Sequence, residues 1–79
     1  MRSAGYTKLF GARLRHLREQ RGFSQEKLAD EAQLHRTHIS LIERGQRSVR
    51  IETVARLAAA LRLTPAQLMP DPGPTAARR

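Results

Sequence analysis

Seventy-nine residues make one small domain, too little chain to enclose a large active site. The absence of cysteine excludes disulfide frameworks, thiolate zinc sites and thiol chemistry together. Fifteen Lys and Arg against seven Asp and Glu give a formal net charge of +8, the balance of a protein with a polyanionic partner. Tyr6, Phe10 and Phe23 are the only aromatic residues, which argues against binders that stack bases of single strands or RNA on several rings. No apolar run reaches the roughly eighteen residues of a membrane span, and Met1 to Ala12 lacks the apolar segment of a signal peptide. The expectation is a cytoplasmic, nucleoid-associated binder of nucleic acid, with no membrane partner.

Apolar spacing is helical almost throughout, and no alternating strand pattern is present. A first helix is expected from about Thr7 to Arg21, with Phe10, Leu14 and Leu17 on one face and Gly22 closing it. Ser24 offers a capping oxygen to a short second helix, Gln25–Ala32, whose apolar face holds Leu28, Ala29 and Ala32. A third helix reads from Arg36 to Glu43 or Arg44, with Ile39 and Ile42 inward and Gly45 as its stop. A fourth, Ile51–Leu61, carries the stripe Ile51, Val54, Leu57, Ala58 and Leu61. Thr64-Pro65 opens a last turn to Met69, since proline suits the first helical position. The chain therefore divides into an all-α domain of five helices over residues 1–69 and a Pro/Arg tail over 70–79, expected to be disordered.

The informative stretch is Ser24 to Gly45. Two short helices meet through Gln33-Leu34-His35, a connection too brief for anything but a sharp corner. Ala29 is small enough for a close crossing, Leu34 can plug the corner, and Ile39 and Ile42 anchor the second of the pair. The rest of that helix is polar: Arg36, Thr37, His38 and Ser40. A short amphipathic helix with donors at its N-terminal end suits the major groove of B-DNA. The plain alternative is a solvated helix face.

Residues 10–69 resemble the phage-repressor-like (XRE-type) helix-turn-helix family. The matching string is Leu14-Arg15-x-Leu17-Arg18, Gly22-Phe23-Ser24-Gln25-x-x-Leu28-Ala29, Ile39-Ser40-x-Ile42-Glu43-Arg44-Gly45 and Leu57-Ala58-x-Ala60-Leu61. The resemblance implies that Arg36, Thr37, His38 and Leu41 reach base edges. It implies backbone contacts for Ser24, Gln25, His35, Ser40 and Arg47, and an internal brace between Arg18 and Glu43. Arg36 chemistry agrees independently, because a guanidinium donates two parallel bonds to guanine O6 and N7. Residues 36–45 further resemble the controller proteins of restriction–modification systems, which activate and then repress their own gene. Phage repressors and antitoxins share the string, so an antitoxin or adaptor module of the same fold is the alternative function.

Three positions depart from the family pattern. Gln33 stands where the turn often has glycine, so the corner either avoids positive φ or is mildly strained. His35 and Arg50 replace the short polar residues that cap the third and fourth helices, at a cost of about 1 kcal/mol each. His35 and His38 lie one turn apart but lack a third ligand, so no metal or other cofactor is expected; a pH-dependent contact is the better use of them. Glu26, Asp30 and Glu31 form an acidic strip, read either as helix-dipole matching or, from the resemblance, with Glu26 and Asp30 as an RNA polymerase contact. No nucleophile, phosphate loop or carboxylate pair supports catalysis, and no small-molecule ligand is expected. A core this small stabilises weakly, so a homodimer is expected, with Ile51, Val54, Leu61, Leu63, Leu68 and Met69 as candidates for its interface.

Overall fold

The computed structural model describes the backbone of residues 3–70 and the side chains of residues 5–70. Among them are five α-helices: α1 Ser3–Gln20, α2 Gln25–Ala32, α3 Arg36–Glu43, α4 Ile51–Ala60 and α5 Pro65–Leu68. The α1 helix lies against α3 and α5, α2 against α3 and α4, and α4 against α5. Phe10, Leu14, Leu28, Ile39, Ile42, Leu57, Leu61 and Leu68 fill the space between them. Leu34 packs against that core from the corner, and Ala29 is buried where α2 and α3 meet.

Four helices end in the same way. Just past each one, a residue with φ between 59° and 74° turns the chain: Gly22, Gln33, Gly45 and Arg62. The amide after it then reaches back five residues, as Phe23 to Arg18 O (3.1 Å), Leu34 to Ala29 O (2.9 Å), Gln46 to Leu41 O (2.9 Å) and Leu63 to Ala58 O (2.8 Å). This double closure satisfies carbonyls that the helix leaves unpaired. Glycine takes the left-handed conformation without penalty at the ends of α1 and α3, whereas Gln33 and Arg62 adopt it with a Cβ, at roughly 1–2 kcal/mol apiece. The corner between α2 and α3 is therefore the strained version of the two expected from the sequence.

Helix starts divide similarly. The Ser24 hydroxyl accepts from the Lys27 amide at 3.0 Å, and Thr64 and Gln67 cap each other reciprocally at 3.2 and 2.9 Å. The α3 and α4 starts, at His35 and Arg50, have no side-chain cap, as their residue types imply.

Several expectations are corrected. The α1 helix begins at Ser3 rather than Thr7. Val54, Leu61 and Leu68, placed on a dimer interface from their apolar character, are 8%, 0% and 0% exposed within one chain and serve its own core. Ile51, named both in the apolar stripe of α4 and among the interface candidates, is 87% exposed. Met69 is exposed and Leu63 half-buried, so three of the six interface candidates remain at the surface. Pro70, assigned to the tail, is buried, and its carbonyl accepts from the Tyr6 hydroxyl at 3.1 Å. The rest of the expected disordered tail lies outside the described residues. No helix among the described residues is long and apolar enough to cross a membrane.

Candidate nucleic-acid interface

The site is organised around α3, whose two ends have different surroundings. At its C-terminal end the Glu43 carboxylate, 3% exposed, receives three donors. Arg18 of α1 binds it through both oxygens, Nε to Oε2 at 2.6 Å and Nη2 to Oε1 at 3.0 Å. The Gln25 amide of α2 adds a bond to Oε1 at 3.1 Å. The remaining arm of Arg18 donates to the Phe23 carbonyl at 2.7 Å, so one guanidinium ties α1, the first corner and α3 together. The hydrogen bond to Glu43 holds the Arg18 pKa above its ordinary value against the opposing cost of burial. No buried side-chain nitrogen or oxygen among the described residues lacks a partner, which is the condition for a buried pair to be tolerated. Arg21 and Lys27 lie 5.8 and 5.7 Å from the centre of the Phe23 ring and steady that corner from outside.

At the N-terminal end, Arg36, Thr37, His38 and Leu41 line one open groove of about 750 Å³. Arg36 and Thr37 are exposed, while His38 and Leu41 are half-buried. His35 and Arg47 border the same groove, as do Glu26 and Asp30 of α2. The structure thus brings together the four expected base readers, two of the expected backbone contacts and the acidic pair. Ser24, Gln25 and Ser40 lie apart from it. The Ser24 oxygen is engaged in capping α2, the Gln25 amide in the Glu43 cluster, and Ser40 is half-buried. Burial holds the His38 pKa below its ordinary value, helped by the charge of Arg47 and by His35. His38 is consequently neutral at pH 7, able to donate from one ring nitrogen and accept at the other. Among the described residues no group of three His, Cys, Asp or Glu is placed to hold a metal ion.

Three positions that sequence reasoning passed over shape the site. The Arg56 guanidinium of α4 reaches the Gln33 carbonyl at a long 3.4 Å, steadying the strained corner. Arg13 donates to the Gln67 carbonyl at 2.9 and 3.3 Å, closing α5 against α1. Gly11 is buried on α1, where an added Cβ would run into the Ile42 carbonyl and lie 2.9 Å from that of Glu43. A lone glycine between Phe10 and Leu14 on a buried helix face was the available signal for a close approach. The arginines carry no such signal, because their acceptors are backbone carbonyls distant in sequence.

A strained two-helix corner, a braced helix behind it and an open groove holding Arg36 and Arg47 at that helix's free end define a helix-turn-helix DNA-binding domain. The helix-turn-helix domain family matches residues 9–69, and the chain belongs to it. Within that class it belongs with the control proteins, DNA-binding regulators of restriction–modification systems. It is 45% identical over 62 residues to control protein C.BamHI of Bacillus amyloliquefaciens, covering 77% of this chain and 76% of that one. The structure is similar to that of the restriction-modification controller protein C.AhdI from Aeromonas hydrophila, with TM-score 0.78 and 43% identity over 80% of this chain and 96% of that one. It is also similar to the controller C.Esp1396I, seen as a tetramer in complex with its natural 35 base-pair operator (TM-score 0.75, 27% identity, 80% of this chain and 83% of that one).

Proposed function

We propose that this protein regulates transcription by binding a pseudo-palindromic operator as a dimer, each α3 lying in a major groove, and that its own promoter is among its targets. The observation that carries the reading is the gathering of Arg36, Thr37, His38 and Leu41 in one groove at the open end of α3, with Arg47 at its edge. Arg36 serves as the guanine reader, and the Thr37 methyl and hydroxyl serve a thymine or either partner. Arg47 and His35 contact phosphate. Gln25 can do so while bracing α3, since its amide has two hydrogens and Glu43 takes one. Phosphate contacts fix the position of the protein without reading sequence.

Dimerisation has a physical basis in a second, apolar groove of about 430 Å³ beside Ile51, lined by Tyr6, Phe10, Val49, Val54, Pro65 and Met69. A partner covering Ile51 and Met69 removes the largest exposed apolar side chain of α4 from water. Two-fold pairing would set the two recognition helices about 34–36 Å apart, one turn of the duplex. Glu26 and Asp30, exposed at the edge of the reading groove, are accessible to an RNA polymerase bound alongside. Replacing both by Gln and Asn should abolish activation while operator affinity is kept or raised, since two charges that repel phosphate are removed; retained activation would remove polymerase from the account.

The test is selection from a random duplex pool by the wild-type chain. The expected product is a symmetric site whose affinity falls steeply as salt rises, bound by a particle of twice 8.9 kDa per site in sedimentation. Salt-sensitive binding with no motif would contradict sequence-specific regulation and favour an adaptor.

A further inference from the structure

We propose that Gly11 is a positioning residue for DNA reading: its missing side chain sets the angle at which α1 presents the recognition helix. This rests on the operator-binding reading above. Gly11 sits in the interior of an eighteen-residue helix, where alanine would be the better helix former. Its neighbours across the interface are main-chain atoms. A Cβ there would overlap the Ile42 carbonyl oxygen and approach the Glu43 carbonyl oxygen to 2.9 Å and its carbon to 3.1 Å. A flexible side chain could swing aside; a helical carbonyl can yield only if the helix moves.

Those carbonyls belong to the last turn of α3, and Arg36, Thr37 and His38 form its first. The second hold of α1 on α3 is at the same end, through Arg18 and Glu43. Gly11 and Arg18 are seven residues apart, about 10 Å along α1, so α1 grips residues 42 and 43 at two separated points. Two points fix a direction as well as a distance. The eight-residue α3 extends roughly 12 Å from that grip toward the groove. A displacement forced at one end therefore reaches the Arg36 guanidinium, whose paired bonds tolerate only about 0.5 Å and 10–20° of misplacement. Because its nearest neighbours are carbonyl atoms of α3, the bare Cα is the part of the contact that cannot adapt.

The experiment compares Gly11→Ala with Leu57→Val, a core change in α4 away from the α1–α3 contact. Both are made in wild type and in an Arg62→Gly background, which relieves left-handed strain far from the groove. At a temperature where circular dichroism shows each chain folded, affinities are measured for the site selected by wild type and for a random duplex of equal length. Gly11→Ala is expected to lower the ratio of the two about tenfold, the size of one lost bidentate contact, with random-duplex affinity within twofold of wild type. Leu57→Val should leave the ratio unchanged. An unchanged ratio in Gly11→Ala overturns the proposal while leaving the operator-binding reading intact, and equal loss on both duplexes does the same. Failure of Gly11→Ala to fold even in the Arg62→Gly background also overturns it, making Gly11 a condition of folding and not of presentation. A wild-type chain that selects no site removes the underlying reading itself.

Discussion

The two ends of α3 are built to opposite specifications. The C-terminal end closes on Gly45 in a conformation glycine takes freely, packs against bare backbone at Gly11 and holds Glu43 on three donor groups of Arg18 and Gln25. The N-terminal end follows Gln33 in a left-handed conformation, starts at His35 with no side-chain cap and opens onto the reading groove. One short helix thus joins a fixed anchor to a start that no side chain caps. Stability and the proposed recognition therefore fall on different residues even within one short helix. On the proposed function, a corner that costs free energy persists because the uncapped helix start and the exposed side chains are what DNA would meet.

The largest effect expected from this contrast comes from breaking the anchored end. Glu43→Ala strands the Arg18 guanidinium and should cost about 3–5 kcal/mol in urea unfolding, as for other buried pairs deprived of one partner. A loss below 1 kcal/mol would mean the brace is no more than a surface pair. At the reading end the sign reverses. Gln33→Gly relieves left-handed strain but adds chain entropy to the unfolded state, for a net gain of roughly 0.5–1 kcal/mol. His35→Ser supplies the missing cap and should add up to about 1 kcal/mol. If both changes destabilise, the corner is not the strained element described above.

The smallest effect is in the pH dependence of His38. Its folded pKa lies below the ordinary value of about 6.5, so the unfolded chain binds more protons in the interval between the two. Stability from this residue is complete above about 6.5 and is lost as pH falls through that interval. His38→Gln should flatten the fall of the unfolding midpoint between pH 7.5 and 5.5. An unaltered slope would assign the acid sensitivity to other groups.

Much of this contrast was legible in the sequence because it is local. Ser24, Gly22, Gly45 and Thr64-Pro65 mark helix ends by their own side-chain and backbone chemistry, and α2 and α3 run between the residues those signals indicate. Gln33, His35 and Arg50 were readable for the same reason, as residue types that do not fit their positions. What required the fold was long-range. An apolar stripe does not say whether it meets its own chain or another, so Leu61 and Leu68, both wholly buried in the monomer, read like interface residues. Pro70 looked like the start of a tail because its anchor, Tyr6, is sixty-four residues away. Gly11 was passed over, since only the position of the Ile42 and Glu43 carbonyls shows what its bare Cα permits. Groove membership for Arg36, Thr37, His38 and Leu41 was legible through the family resemblance, whereas the place of Glu26 and Asp30 beside them depends on how α2 crosses α3.

In the proposed function, sequence is read at the open end of α3 and Arg47 only positions the protein. Comparing the selected sites of Arg36→Ala and Arg47→Ala tests this most directly. Arg36→Ala is expected to lose preference at one base pair in each half-site, worth about 1–3 kcal/mol, and keep it elsewhere. Arg47→Ala should bind all sequences more weakly with its preferences intact. Uniform weakening in both, or lost preference in Arg47→Ala alone, would contradict the account.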